Sequence, residues 1–230
     1  MASRPDAAAE DGRTHLLEVV AVAVGAVGGG LAAFQMAGAM PVIAMPDAVT
    51  TLVWYVIRVT GIAAYIALWL TTVAGIAISG QIGGKRLPGA IVYPLHQLGD
   101  LALSLSVLHG ALLLGDRFGG FTPASLVVPF IAAYRPVWTG LGILSLYLAL
   151  AVFWSVEVRP RVGYRAWRAV HYLAFVSFAF ALLHGLFSGT DSSSPAMVLM
   201  YLLTGAVVLW MIGLRMRPSA PAPARATSRA

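Results

Sequence analysis

Residues 92–115, VYPLHQLGDLALSLSVLHGALLLG, and residues 168–188, RAVHYLAFVSFAFALLHGLFS, decide how this chain folds. Each is an apolar run long enough to cross a bilayer as a helix, which takes about 20 residues at about 1.5 Å per residue. Each also holds two histidines 13 positions apart, His96 and His109 in the first, His171 and His184 in the second. The fifth histidine, His15, lies in a polar amino-terminal stretch. An imidazole costs free energy inside lipid, so intramembrane ionisable residues are functional candidates by default.

The rest of the chain agrees with lipid as its solvent. Hydrophobic residues make up 59% and charged residues 10%, against roughly 45–50% and about 25% in soluble domains. Charge-free runs cover 19–46, 59–84, 136–156, 169–190 and 192–214, and 87–115 is interrupted only by Asp100. Six spans follow, near 16–37, 52–79, 92–115, 137–157, 168–188 and 195–214. The expected fold is all-α, a polytopic bundle of six transmembrane helices over 16–214. Short cytoplasmic tails, 1–15 and 215–230, flank it, the second disordered by composition.

Cations sort by side. Twelve of the fifteen lysines and arginines fall in the tails, loop 80–91 and loop 158–168, whereas Arg58, Arg117 and Arg135 fall on the other side. This positive-inside asymmetry places both termini in the cytoplasm of a multi-pass cell-membrane protein; a bacterial inner membrane is the expected location. It also accounts for the net charge of +6 without a nucleic-acid partner. The absence of cysteine excludes iron–sulfur clusters, thiolate haem ligands and covalent haem attachment. No Gly-rich dinucleotide loop follows a strand, so neither a flavin nor a nicotinamide site is expected here.

Spans three and five run in the same direction, so His96 and His171 share one depth and His109 and His184 another. Each 13-residue interval separates the levels by about 20 Å. Two imidazoles per level point to two bis-histidine b haems, with His96 and His171 on one iron and His109 and His184 on the other. Full axial ligation suits electron transfer over oxygen binding. On an ideal helix, however, 13 residues leave the paired histidines about 140° apart, so local overwinding is expected in both helices. Arg58 and Arg135 at one level, and Arg165 and Arg168 at the other, are candidate propionate partners, because guanidinium grips carboxylates in bidentate fashion. Arg165 and Arg168 are equally explained by the positive-inside bias. Asp100, four residues after His96 and hence on the same helical face, could orient a ligand or carry a proton, and a role as an inner-end charge facing polar neighbours explains it equally. Gln97, Ser104, Ser106 and Ser177 are expected to bond between helices.

The segments Arg58-Val-Thr-Gly-Ile, His96 to His109, Tyr134-Arg135-Pro136 and Gly163-Tyr-Arg-Ala-Trp-Arg-Ala-Val-His171 through His184-Gly185 resemble the ferric-reductase-like transmembrane family. The resemblance implies a six-helix domain with b haems between helices three and five. It also implies electron transfer outward to ferric iron, a small oxidant or a periplasmic redox protein. The donor would be a separate cytoplasmic protein or quinol, and the chain an oxidoreductase or its haem subunit. Two alternatives stay open: an ascorbate- or quinol-linked cytochrome b, and a non-redox membrane protein with structural histidines.

Overall fold

The structure, a computed structural model, describes residues 47–80, 89–116 and 118–216. The expected first span and amino-terminal tail, Lys85 and Arg86, Arg117 and the tail beyond Met216 lie outside the described residues, as does the side chain of His96. The described residues form helices joined by turns and irregular segments, in the order α1 (Asp47–Ser79), α2 (Gly89–Leu112) with a 3₁₀ turn at Leu113–Gly115, α3 (Pro123–Val127), α4 (Pro136–His171), α5 (Leu173–Ser188) and α6 (Pro195–Arg215).

Among the described residues, four stretches are long and apolar enough to cross a membrane: Thr51–Gly80, Gln97–Gly115, Pro136–Ser188 and Pro195–Arg215. The third has 53 residues and would measure about 80 Å if straight, far beyond a hydrocarbon core of about 30 Å. It doubles back at Gly163, whose φ of 79° and ψ of 165° belong to a region open essentially to glycine alone. The two arms pack antiparallel. Tyr134 bonds Ser188, Trp138 bonds His184 and Ser145 bonds Ser177, three pairs placed symmetrically about position 161. Residues 158–168, expected as a loop, are instead helical on both sides of this glycine. Arginines do not end a helix, and only Gly163 supplies the reversal.

A second hairpin joins α1 to α2. Gly61 faces His109 and Gly99 faces Thr71, pairs symmetric about position 85. Beyond it, α1 packs on α5 and α6, and α2 on α4. Tyr65, Ile76, Phe178, Tyr201, Val208 and Met211 form the apolar core where α1, α5 and α6 meet. The Tyr65 hydroxyl lies 2.5 Å from the Thr204 hydroxyl within it.

The burial pattern is that of a protein in lipid. Thr60, Thr72, Thr139, Ser145, Ser155, Ser177 and Thr204 are buried, while Leu199, Leu202, Leu203, Leu209 and Trp210 of α6 face outward. Small hydroxylated residues allow close helix approach, and lipid tails cover the leucines at no cost. Ser145 and Ser177 each donate to the other's carbonyl, at 2.8 and 2.9 Å, as expected of an interhelical bond. Ser104 and Ser106 do not follow that expectation. Each bonds its own helix at the carbonyl four residues back, the default partner for a hydroxyl that meets no polar neighbour.

The overwinding expected between paired histidines appears on one side only. After His171 the helix breaks at Tyr172, where the Phe175 N–H bonds the Tyr172 carbonyl in a three-residue turn. Between His96 and His109, α2 stays α-helical. Its proline, Pro94, precedes that interval, so nothing there displaces the regular ladder.

Candidate functional site

His109 of α2 and His184 of α5 face each other with ring centres 6.4 Å apart and ring planes at 75°. The same local device seats both. The Nδ1 atom of His109 lies 2.8 Å from the Ile57 carbonyl, and Nδ1 of His184 lies 2.9 Å from the Trp138 carbonyl. Four residues beyond each carbonyl stands a glycine, Gly61 and Gly142. In a helix the side chain at that position would cover the carbonyl from the outside. A Cβ on Gly61 would come within 2.9 Å of the His109 ring, and one on Gly142 within 2.6 Å of the His184 ring. The two glycines therefore open the backbone to the imidazoles. With Nδ1–H donated to a carbonyl, each ring presents Nε2 as a lone-pair donor, the usual way a neighbour fixes the tautomer of a metal ligand.

The rings project into a cavity of about 1060 Å³ between α1, α2, α4 and α5, at the upper limit of the roughly 300–1,000 Å³ of small-molecule sites. Its lining is mostly apolar, with Thr71, Asp100, Ser106 and Ser145 among the polar exceptions. Trp54, Arg58, Asp116, Tyr134 and Asp191 line one end, and Trp167, Arg168, His171, Tyr172 and Arg215 the other.

The candidate residues fare differently. His109 and His184 are brought together. His171 lines the opposite end and stacks on Trp167 at 5.0 Å. Arg58 lines the cavity with its guanidinium 3.2 Å from the Trp54 ring centre, and it forms an ion pair with Asp191. Arg135 does not line the cavity. It sits at the start of α4 with φ 42° and donates to the Phe187 carbonyl, tying the ends of the hairpin. Arg165 is exposed and away from the lining. Arg168 lines the cavity and donates through Nε to the Tyr172 hydroxyl at 2.9 Å.

Sequence reasoning missed Gly61, Gly142, Asp191 and Tyr172. A signal existed for Asp191, an acid just beyond the expected span 168–188, at the level expected for Arg58. For the glycines no local signal exists, because their role depends on which histidine lies opposite.

No family model, curated protein or solved structure matches this chain. The fold itself defines the class: an all-helical membrane protein, with a facing imidazole pair inside it.

Proposed function

We propose that this chain is a membrane b-type cytochrome in which His109 and His184 hold one haem iron from both sides. The observation that carries the reading is the 6.4 Å between their ring centres. Metal–imidazole bonds of about 2 Å, with about 1.1 Å from ring nitrogen to ring centre, require roughly 6.3 Å across a shared metal. The carbonyl–glycine seats support it further, because they fix both tautomers with Nε2 available. The macrocycle supplies the other four ligand positions, so two imidazoles suffice. When bound, such a haem supplies one-electron chemistry. The protein holds both rings against rotation, keeps water out with its apolar lining, and places Arg58 near enough to the cavity to meet a propionate.

The wider reading adds a second haem between His96 and His171, in a six-helix domain that carries electrons across the bilayer; it requires His96 to reach the cavity against the roughly 140° that regular winding of α2 leaves between it and His109. His171 at the far end of the same cavity favours it. Electrons would arrive from a separate cytoplasmic protein or quinol and leave to ferric iron, a small oxidant or a periplasmic redox protein. The resemblance in sequence supports that direction, as does the arginine asymmetry.

The test is a reduced-minus-oxidised absorption spectrum of protein purified from haem-supplied cells, with haem counted per chain. The expected result is a b-type α band and a ratio near two. Colourless protein refutes the reading, and a ratio near one confines it to His109 and His184. Growth of a deletion strain on limiting iron or on oxidised methionine then separates the acceptors.

A further inference from the structure

Two arginines from different helices converge on one phenol at the end of the cavity remote from His184. The Arg168 Nε–H donates to the Tyr172 hydroxyl at 2.9 Å, and Arg215 Nη2 lies 3.5 Å from the same oxygen. Both guanidiniums also stand over the Tyr172 ring, at 5.6 and 5.9 Å from its centre. Two cations are thus held side by side at a helix break, on a residue 41% exposed. The surroundings reinforce the charge: residues 157–172 carry four arginines and one acid. A hydroxyl that accepts from arginine keeps its own hydrogen for a further acceptor. Paired guanidiniums with an adjacent hydroxyl suit a phosphate better than a single-point cation would.

An independent feature runs from the same point. Tyr172 heads an exposed stripe of α5 that continues through Val176, Leu183 and Phe187, at helical spacing along one face. Beside it α6 exposes Leu202, Leu209 and Trp210 and ends at Arg215. The polar head of this surface therefore lies at the end of two membrane-crossing helices, with an apolar track leading away into the hydrocarbon. A free anion would use the head alone. An amphiphile matches both parts.

We propose that Arg168, Tyr172 and Arg215 bind the phosphate of an anionic phospholipid, with an acyl chain lying along the exposed face of α5. The site is separate from the His109–His184 pair, since the 12 residues from Tyr172 to His184 span about 18 Å of helix; it adjoins His171, and in this proposal Arg168 serves the lipid and not a propionate of the second haem. Basic pockets between transmembrane helices commonly hold anionic headgroups.

The experiment uses the full chain in neutral detergent, titrated with phosphatidylglycerol or phosphatidylcholine and read by native mass spectrometry. The anionic lipid is expected to bind about 30-fold more tightly, with each of Arg168→Gln and Arg215→Gln reducing that preference about 5-fold. Tyr172→Phe should weaken it without abolishing it. Arg168→Lys, which keeps the charge, should recover most of it and settles the matter if a glutamine variant fails to fold. Equal binding of the two lipids overturns the proposal. So does displacement of phosphatidylglycerol by millimolar inorganic phosphate, which would mark a plain anion site. Loss of haem from the arginine variants with unchanged lipid preference would assign the cations to a propionate instead.

Discussion

Replacing Gly142 by alanine tests the seat of the histidine pair directly. The added Cβ would lie 2.6 Å from Nδ1, 2.8 Å from Cε1 and 2.9 Å from Cγ of His184. Ordinary contact needs about 3.5–4.0 Å, so the ring or helix must withdraw by about 1 Å. That movement stretches the 2.9 Å bond from Nδ1 to the Trp138 carbonyl past the useful range and swings Nε2 off line with His109. Overpacking of this kind costs about 1–3 kcal/mol of stability. Loss of an orienting partner lowers affinity for the bound metal group about 10- to 100-fold. Gly61→Ala should act in the same direction but less, because its Cβ would stand 2.9 Å from the His109 ring. Gly213 of α6 is the control: it does not line the cavity, and a Cβ there meets nothing within 4 Å. Gly213→Ala should keep full haem and gain up to about 1 kcal/mol from helix propensity. The assay is haem per protein together with thermal unfolding in detergent. If Gly142→Ala matches Gly213→Ala in both, the seat is not what orients His184 and the argument fails.

Three further outcomes are expected. His109→Ala and His184→Ala should each remove the same haem, so the double variant should lose no more than either single one; spectral titration reads this, and additive losses would mean separate sites. Ser145→Cys with Ser177→Cys should cross-link on mild oxidation, because the native hydroxyls lie 3.2 Å apart and the chain has no other cysteine; no mobility shift on a non-reducing gel would contradict the hairpin about Gly163. Tyr65→Phe should lower unfolding stability by about 0.6–1.7 kcal/mol through loss of its bond to Thr204, and an unchanged melting temperature would show that bond to be idle.

The apolar passes were legible because membrane burial is a local property. Span 52–79 corresponds to α1, 92–115 to α2 with its 3₁₀ turn, and 195–214 to α6, with ends differing by a few residues. Among the described residues the exception is 158–168, where a run of arginines suggested a loop. Charge ends a membrane pass without ending a helix, so the backbone continues helical up to Gly163 and again beyond it. Phase arithmetic on one helix also misjudged the winding. It assumed that histidines 13 apart must share a face, whereas α2 keeps its regular ladder between His96 and His109.

Arg135 shows the same division. That it stands outside the arginine-rich segments was plain from sequence, yet its target was not. A bend with φ 42° turns it to the Phe187 carbonyl and away from the cavity.

By itself, the sequence determined that the chain lies in lipid, where most of its passes run, and that few side chains could carry chemistry there. Those conclusions depend on composition over about twenty neighbouring residues, a scale on which the hydrophobic cost is summed locally. Tertiary structure alone decided that His109 meets His184, that Gly61 and Gly142 open carbonyls to them, and that Arg58 is held by Asp191. Each of these joins residues from different helices. Their meeting is set by how two hairpins fold and register against one another, a long-range geometry that no single segment encodes.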